Sequence, residues 1–267
     1  MEVLYGLHPV EEAVRSGSRR LDSVMLARER SDARMERHAD LCRAAGVRIS
    51  LEPRDQLTRL SRTDAHQGVV AMVRERALLD LPDLLETKAG PQNGLRHRFF
   101  LALDGIEDPH NLGALLRTAD GAGVDGVILP ERRSAPVSAT VAKTSAGASE
   151  HVRIARVTNL VRALEQMKKA GIWVLGLDER GTPDYTEFDF RTDCVLVLGR
   201  EGAGLHDLVR KTCDHLLRIP MAGAVSSLNV SVAGAVVMYE AMRQRRQPAP
   251  PAVKPSGPAK PRKGLGS

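Results

Sequence analysis

Three segments of the sequence combine polar side chains with glycine or proline in a way that could build a site. The first, residues 104–119, reads DGIEDPHNLGALLRTA. Its leucines recur at helical spacing, which predicts a helix with Asn111 near its start and Arg117 about two turns further on. An amide side chain beside the free N–H groups of a helix start could meet an anion. Alone, the pattern is more typical of a helix cap followed by a surface arginine.

The second segment, residues 195–205, reads VLVLGREGAGL and predicts a strand followed by a glycine-rich loop. Glycines such as Gly199 let a ligand approach the backbone closely. The order G-x-x-G-x-G differs from the dinucleotide pattern G-x-G-x-x-G, and no Walker lysine follows it. Glu201 would repel a phosphate. Alone, the segment predicts no more than a tight turn between a strand and a helix.

The third segment, residues 219–231, reads IPMAGAVSSLNVS. A strand ends at Pro220, and a loop of small residues then leads into a helix. Either Ser227 or Asn229 could cap that helix, since both types accept hydrogen bonds from the first backbone N–H groups. A capping residue could also serve a ligand.

The elements that must position these segments follow from the apolar pattern of residues 99–243. Near-continuous apolar runs predict strands at 99–103, 126–129, 172–177, 194–198 and 215–219. Helical spacing lies between them at 111–122, 158–170 and 205–212, and a last helix covers about 229–242. Thr158 is a plausible N-cap and Gly171 a plausible residue after the helix end. Apolar strands of this kind predict a parallel sheet covered on both faces.

Residues 1–76 predict a smaller, mixed α/β domain. Helical patterns at 8–16, 31–45 and 53–60 alternate with strand patterns at 22–27, 47–51 and 68–73. Residues 77–98 contain the turn-rich run GPQNG and are predicted to link the two domains. Residues 244–267 are predicted to form an extended, basic tail because they hold six of the 15 prolines.

Composition excludes several classes of protein. A chain of 267 residues that is 42% hydrophobic can bury a core, which excludes wholesale disorder. Three cysteines without a C-x-x-C pair exclude a disulfide framework and a cysteine-based zinc site. No apolar run approaches 18 residues, and the start lacks the order of a signal peptide. We therefore expect a cytoplasmic protein without a membrane span and without a bound metal.

The net charge of +6 comes from the end of the chain. Seven of the 39 basic residues and none of the 33 acidic ones follow Glu240, so the remainder has a net charge of −1. The tail could bind phosphates without specificity or could serve only solubility. The overall charge is therefore a weak indication of nucleic-acid binding.

Taken together and in this order, the three segments closely resemble the motifs of the SpoU/TrmH family of RNA ribose 2′-O-methyltransferases, within the SPOUT superfamily. The shared pattern is N-x5-R-T-A, then L-G-x-E-x-x-G, then I-P-M-x-G-x-x-x-S-L-N-V-S. Two N-terminal stretches, GLHPVEEA at 6–13 and HQGVVA at 66–71, resemble the substrate-binding domain of the branch that methylates large-subunit rRNA. The resemblance covers about residues 3–243. It is nearest to the enzymes that methylate a guanosine ribose in the P-loop of the peptidyl-transferase centre.

The resemblance implies a C-terminal SPOUT α/β domain with a deep trefoil knot that binds S-adenosylmethionine. By match to the motifs, the cofactor lies among Gly199, Ile219, Met221 and Leu228. It also implies a homodimer that packs through helices of the knot region, and residues 230–239, rich in small and apolar side chains, fit such an interface. The N-terminal domain would select the RNA. With only eight aromatic residues in the chain, phosphate contacts and arginine stacking would dominate over aromatic stacking.

By the same match, the catalytic group consists of Asn111, Arg117, Glu201, Ser227 and Asn229. The two asparagines and the serine would hold the ribose and the arginine. The family's mechanism often assigns the role of base to the arginine that Arg117 matches. A guanidinium stays protonated at ordinary pH, so we expect Arg117 to clamp a phosphate and stabilise the developing alkoxide. Glu201 would orient Arg117 or another ligand.

Three alternatives stay open from the sequence. The RNA substrate could be tRNA or another rRNA site. The chain could also be a non-catalytic RNA-binding or ribosome-assembly factor that keeps the fold, although the intact catalytic group argues against this. A nucleotide-dependent oxidoreductase is disfavoured by the order of the glycines.

Overall fold

The computed structural model describes residues 1–86 and 97–247 of the chain. The N-terminal part is a four-stranded mixed sheet, in the order β1-β4-β2-β3, with three helices. Strand β2 pairs with β3 in parallel and with β4 antiparallel. The strands are β1 (Glu2–Tyr5), β2 (Leu21–Ala27), β3 (Ile49–Glu52) and β4 (Val69–Val73), and the helices are α1 (Leu7–Ser16), α2 (Ala33–Ala44) and α3 (Arg54–Ser61).

The C-terminal part contains a six-stranded sheet in which every pairing is parallel. The strand order is β10-β8-β9-β5-β6-β7. Its strands are β5 (Phe99–Leu103), β6 (Gly126–Pro130), β7 (Ile154–Val157), β8 (Trp173–Leu177), β9 (Cys194–Leu198) and β10 (His215–Leu217). Its helices are α4 (Leu81–Leu85), α5 (Pro109–Ala122), α6 (Ala139–Thr144), α7 (Leu160–Lys169), α8 (Asp207–Thr212) and α9 (Val230–Arg246). The predicted fold class, a small α/β domain followed by an α/β domain with a mostly parallel sheet, is confirmed.

Two apolar layers cover the two faces of this sheet. Along β5, Phe99, Leu101 and Leu103 join the layer under α5 and α9. The residues between them, Phe100 and Ala102, join the layer under α7 and α8. Because both faces are buried, every position of β5 is apolar, and the run is continuous rather than alternating.

The prediction that residues 77–98 form a linker was wrong for the first part of this segment, because that part packs into the C-terminal domain. Helix α4 lies within it and buries Leu81 and Leu84 in the layer under α7. The backbone of Leu79 pairs with Ala155 beside β7. Asp80 caps the short helix by accepting a hydrogen bond from the backbone of Asp83. The GPQNG turn at 90–94 lies outside the described residues.

The predicted start of the tail was also wrong, because α9 continues to Arg246. The side chain of Gln244 donates to the backbone oxygen of Phe188 (3.1 Å). The Arg245 guanidinium donates to the backbone oxygens of Phe190 (2.8 Å) and Thr192 (2.7 Å). These bonds hold the last helical turn against the domain. The rest of the predicted tail, from residue 248, lies outside the described residues.

Asn159, and not the predicted Thr158, caps α7, and its side chain accepts from the backbone of Arg162 (3.1 Å). Gly171 follows the helix in a left-handed conformation (φ +76°), as predicted. In the described ranges, no helix is long and apolar enough to cross a membrane.

The two domains are joined by buried polar contacts. Arg19 makes a bidentate ion pair with Glu150, with N···O distances of 2.9 and 2.7 Å, and the two side chains are only 4% and 0% exposed. Lys143 of α6 donates to the backbone oxygen of Ala65 (2.7 Å) and to Gln67 (2.8 Å). Burial of its ammonium lowers the pKa of Lys143. These contacts seat the HQG turn of the N-terminal domain against the C-terminal domain.

Candidate active site

The polar residues of the three motifs meet at the carboxyl edge of the parallel sheet. The loops after β5, β6 and β9 lie side by side there, since these strands are neighbours. Two backbone hydrogen bonds tie the loops together: Asp104 N to Leu198 O (2.8 Å) and Ala135 N to Ile106 O (2.8 Å). Open parallel sheets bind their ligands at this edge.

Three of the predicted catalytic residues form one hydrogen-bonded cluster. Glu201 accepts from the side-chain amide of Asn111 (3.3 Å) and from that of Asn229 (3.1 Å). The amide of Asn229 also donates to the side-chain oxygen of Asn111 (3.0 Å). We call these three residues the Asn–Glu–Asn cluster. Asn111 is buried, whereas Glu201 and Asn229 are exposed, so a ligand can reach the cluster from solvent.

Helix caps explain how the two asparagines are presented. Asp108 caps α5 by accepting from the backbone N–H groups of His110 and Asn111. This leaves the Asn111 side chain, in the first turn, to point at Glu201. Of the two candidate caps of α9, the structure uses Asn229, whose side-chain oxygen accepts from the backbone N–H (2.9 Å) and hydroxyl (2.6 Å) of Ser231. Asn229 therefore caps with its oxygen and joins the cluster with its nitrogen.

A cleft of about 370 Å³ lies beside the cluster, between the loops that follow β8, β9 and β10. The four residues predicted to surround the cofactor all line it: Gly199, Ile219, Met221 and Leu228. Glu201 and Ser227 line it as well. The volume suits a small organic ligand.

Sequence reasoning missed two acidic residues of this cleft, Asp178 and Glu179. They follow β8 directly, and carboxyl ends of parallel strands share one edge, so their position after a predicted strand was a usable signal. The lining carries three carboxylates, Asp178, Glu179 and Glu201, and three guanidinium groups, Arg180, Arg200 and Arg210, so its formal charges balance. The carboxylates can accept hydrogen bonds from the hydroxyl or amino groups of a ligand.

Glycine is needed at position 199 for a reason other than the predicted close approach of a ligand to the backbone. A Cβ at Gly199 would lie 2.2 Å from the backbone carbon of Gly204 and 2.4 Å from the nitrogen of Leu205. The loop folds back there, because Arg200 and Gly204 exchange two backbone hydrogen bonds (3.0 and 2.9 Å). Gly202, at the tip, has a left-handed φ of +73° with open space around it. Gly199 thus allows the loop to pack on itself and thereby shapes the cleft.

Two predicted site residues stand apart from the cluster. Arg117 is exposed on α5, and within residues 1–86 and 97–247 no hydrogen bond or ion pair to its side chain is formed. It is not among the residues that line the cleft. Ser227 lines the cleft without a hydrogen bond to the cluster. Glu201 was predicted to orient Arg117 or another ligand; in the structure its carboxylate binds the two asparagines.

The cysteines are not poised as nucleophiles. Burial raises the pKa of the Cys194 thiol to about 12 and that of Cys213 to about 12, so both stay protonated at neutral pH. Among the described residues, no group of three or more histidine, cysteine or acidic side chains could hold a metal ion. What the arrangement offers is a set of oriented amides and carboxylates next to a cleft, which suits the alignment of two ligands.

Comparison with known proteins identifies both domains. The family model for the SpoU rRNA Methylase family matches residues 98–239, and that for RNA 2′-O ribose methyltransferase substrate binding matches residues 3–78. The chain is 43% identical to 23S rRNA (guanosine-2′-O-)-methyltransferase RlmB of Ralstonia nicotianae, over 91% of this chain and 96% of that protein. It is 42% identical to the putative TrmH family tRNA/rRNA methyltransferase YacO of Bacillus subtilis, with the same coverage of 91% and 96%.

A similar solved structure is that of the SpoU methyltransferase AviRb from Streptomyces viridochromogenes in complex with the cofactor AdoMet. It superposes with a TM-score of 0.75 at 29% identity, covering 91% of this chain and 90% of AviRb.

Proposed function

Because the chain belongs to the SpoU rRNA methylase family, we propose that it methylates the ribose 2′-oxygen of a guanosine in 23S rRNA, within the P-loop of the peptidyl-transferase centre. The chain belongs to the class of S-adenosylmethionine-dependent RNA ribose 2′-O-methyltransferases. The observation that carries the proposal is the cleft, which gathers all four predicted cofactor residues next to the Asn–Glu–Asn cluster. The names of the relatives support the 23S rRNA substrate, which would place the reaction in the cytoplasm.

The lining of the cleft offers apolar and hydrogen-bonding groups that suit S-adenosylmethionine. Ile219, Met221 and Leu228 give it an apolar wall for the adenine ring, and the loop after Gly199 brings backbone groups to its edge. Asp178 and Glu179 can accept hydrogen bonds from hydroxyl or amino groups.

The residues of this chain contribute alignment and charge. S-adenosylmethionine supplies a methyl group that is already activated by its sulfonium. Asn111 and Asn229 are held by Glu201, and the exposed Glu201 and Asn229 lie at the edge of the cleft, where a ribose can be held in line. Ser227 offers a hydroxyl on the cleft side. Holding both reactants in one geometry lowers the entropic part of the barrier.

Arg117 is assigned the role of an electrostatic clamp. Its guanidinium is exposed and, in the described part of the chain, has no carboxylate partner, so its charge is available to a phosphate of the substrate. A protonated guanidinium also stabilises the alkoxide that develops as the 2′-oxygen attacks. Its test is argued in the Discussion.

The proposed assembly is a homodimer that packs through α9 and the neighbouring loop of the proposed trefoil knot. Val232 and Tyr239 of α9 are 49% and 48% exposed, and Val225 in the loop before it is 69% exposed. Large exposed apolar side chains on one helix are typical of a protein interface. Light scattering should give twice the mass of 29.0 kDa, and a mass of one chain would contradict the dimer.

A tRNA substrate is the second candidate, because the Bacillus subtilis relative is named a tRNA/rRNA methyltransferase. Purified protein and radiolabelled S-adenosylmethionine should be incubated with transcripts of 23S rRNA, 16S rRNA and tRNA. We expect label in 23S rRNA alone, at the 2′-oxygen. Label in tRNA would support the second candidate, and absence of label from every RNA, with the cofactor bound, would contradict both.

Replacing Asn229 by alanine should lower both the stability of the protein and its methylation rate, through the loss of two different groups. Loss of the α9 cap should cost about 1 kcal/mol, and loss of the amide should remove both bonds to the cluster. Asn229→Ser keeps a capping oxygen and places no second carboxylate beside Glu201, so it should unfold near the wild-type temperature while methylation stays impaired.

Asn159→Ala is the matched control, since it removes the asparagine cap of α7 outside the cluster. It should lower the unfolding temperature to a similar degree and leave the methylation rate of the folded enzyme unchanged. If Asn229→Ser methylated RNA at the wild-type rate, the amide of Asn229 and its bonds within the cluster would have no part in the reaction.

A further inference from the structure

A second polar group lies on the same sheet edge and has no part in the mechanism above. Asp104, at the end of β5, is buried and accepts from the backbone N–H of His206 (2.7 Å). Its other oxygen lies 2.8 Å from Nδ1 of the His206 ring. The outer ring nitrogen, Nε2, lies 3.3 Å from Nη1 of Arg133, in the loop after β6. Three neighbouring loops thus meet in one chain of hydrogen bonds.

The chemistry of these partners fixes the state of the histidine. A guanidinium can only donate hydrogen bonds, so Nε2 must accept from Arg133. The ring proton is therefore on Nδ1 and is donated to Asp104. In this arrangement a buried carboxylate orients the imidazole, and the imidazole holds an arginine without cancelling its charge.

Arg133 is exposed, and its charge is not neutralised. Across the described ranges it forms no ion pair, and neither does Arg132 beside it. The backbone of Arg133 takes a left-handed φ of +57°, which is costly for a non-glycine residue. Its loop is anchored by the bond from Ala135 N to Ile106 O. The side chain and the backbone are thus both held, and the guanidinium faces solvent with donors to spare.

The group is adjacent to the Asn–Glu–Asn cluster. The side chain of Arg200 packs over Gly105, where an added Cβ would lie 2.6 Å from Arg200 Cγ and 3.4 Å from His206 Cε1. The residue after Arg200 is Glu201, the centre of the cluster. His206 therefore lies next to the Arg200 side chain, and neither His206 nor Arg133 is among the residues that line the cleft.

We propose that Arg133 binds a backbone phosphate of the RNA next to the ribose at the Asn–Glu–Asn cluster, with His206 and Asp104 as the residues that position it. The inference rests on the proposed function, because a ribose at the cluster brings its own flanking phosphates to this edge. Arg133 offers the planar fork that pairs with phosphate oxygens. Because His206 already restrains the Arg133 side chain, that side chain loses less conformational entropy when a phosphate binds.

The test separates substrate binding from chemistry. A phosphate contact holds substrate and transition state alike, so Arg133→Ala should raise the KM for a 23S rRNA transcript about 10-fold and leave kcat and S-adenosylmethionine affinity unchanged. The slope of log Kd against log salt should fall by about 0.7, the value for one phosphate contact on a single strand. Lys169→Ala is the control, because it removes an exposed cation from the C-terminal end of α7. Lys169 precedes β8 and therefore lies at the opposite edge of the sheet from Arg133.

The positioning role of His206 has its own readout. His206→Ala should raise KM by less than Arg133→Ala and should add nothing when Arg133 is already alanine. His206→Gln should recover most of the loss, since its amide oxygen can accept from Arg133. Additive effects of the two alanine changes would overturn the positioning role.

Binding of the transcript, measured by fluorescence anisotropy without turnover, keeps this inference distinct from the proposed function. If the wild type binds RNA but transfers no methyl group, the proposed function fails, and a reduced salt slope in Arg133→Ala still supports the phosphate site. A salt slope equal to those of the wild type and Lys169→Ala overturns it. A wild type that binds no RNA overturns both.

Discussion

Gly199→Ala is expected to reduce S-adenosylmethionine affinity about 100-fold. The new Cβ would lie 2.2 Å from the backbone of Gly204, and a backbone atom in a hydrogen-bonded loop cannot move aside as the end of a flexible side chain can. Overpacking of this kind typically costs about 1–3 kcal/mol, and 3 kcal/mol corresponds to about 100-fold in affinity. The loop that shapes the cleft would have to shift.

Gly223→Ala is the matched control for this prediction. It lies in the loop before α9, and an added Cβ there would meet nothing within 4 Å. Calorimetric titration should show near-normal affinity for Gly223→Ala and little or no heat for Gly199→Ala, with circular dichroism confirming that both variants are folded. Normal S-adenosylmethionine affinity in Gly199→Ala would show that the loop after β9 is not part of the cofactor site.

Arg117→Ala is expected to lower kcat on RNA by about 10²–10³-fold, the effect of losing one electrostatic donor in a transition state. S-adenosylmethionine affinity should stay nearly unchanged, because Arg117 does not line the cleft. Arg117→Lys should recover only part of the rate, since lysine keeps the charge and loses the planar fork. Single-turnover methylation and calorimetry measure the two quantities.

The pH dependence of that rate distinguishes a clamp from a base. A clamp predicts profiles of the same shape and different height for the wild type and Arg117→Lys. A base predicts that the rising limb moves to lower pH in Arg117→Lys, because a lysine deprotonates more readily than an arginine. A shifted limb, with chemistry rate-limiting, would make Arg117 the proton acceptor.

The fold was predictable where burial on both faces left a continuous apolar run. Strands β5 and β9 begin and end where predicted, because each is wholly apolar and bounded by polar residues or glycine. Strand β7 was missed, since it has four residues and an exposed Arg156 in its middle. Helix α4 was missed because five residues in a turn-rich segment show no helical period. Its stability comes from tertiary packing of Leu84, which local pattern does not reveal.

The site was predictable from the family motifs and not from local pattern. Asn111 and Glu201 are 90 residues apart, and Asn111 and Asn229 are 118 apart, so their contact depends on the order of the strands. The motif match selected these residues but did not predict the hydrogen bonds of Glu201 to the two asparagines. The Asp104–His206–Arg133 contacts were not predicted, because the three residues follow different strands and their contact depends on the order of those strands.

Mapping of ribose methylation by mass spectrometry tests the central claim most directly. 23S rRNA is isolated from cells with and without the gene, and the rRNA lacking the mark is then treated with purified protein and S-adenosylmethionine. The account predicts one 2′-O-methylated guanosine in the P-loop that is absent without the gene and restored in vitro by the wild type. A P-loop mark that persists without the gene, or a methyl group restored at another nucleotide, would contradict it.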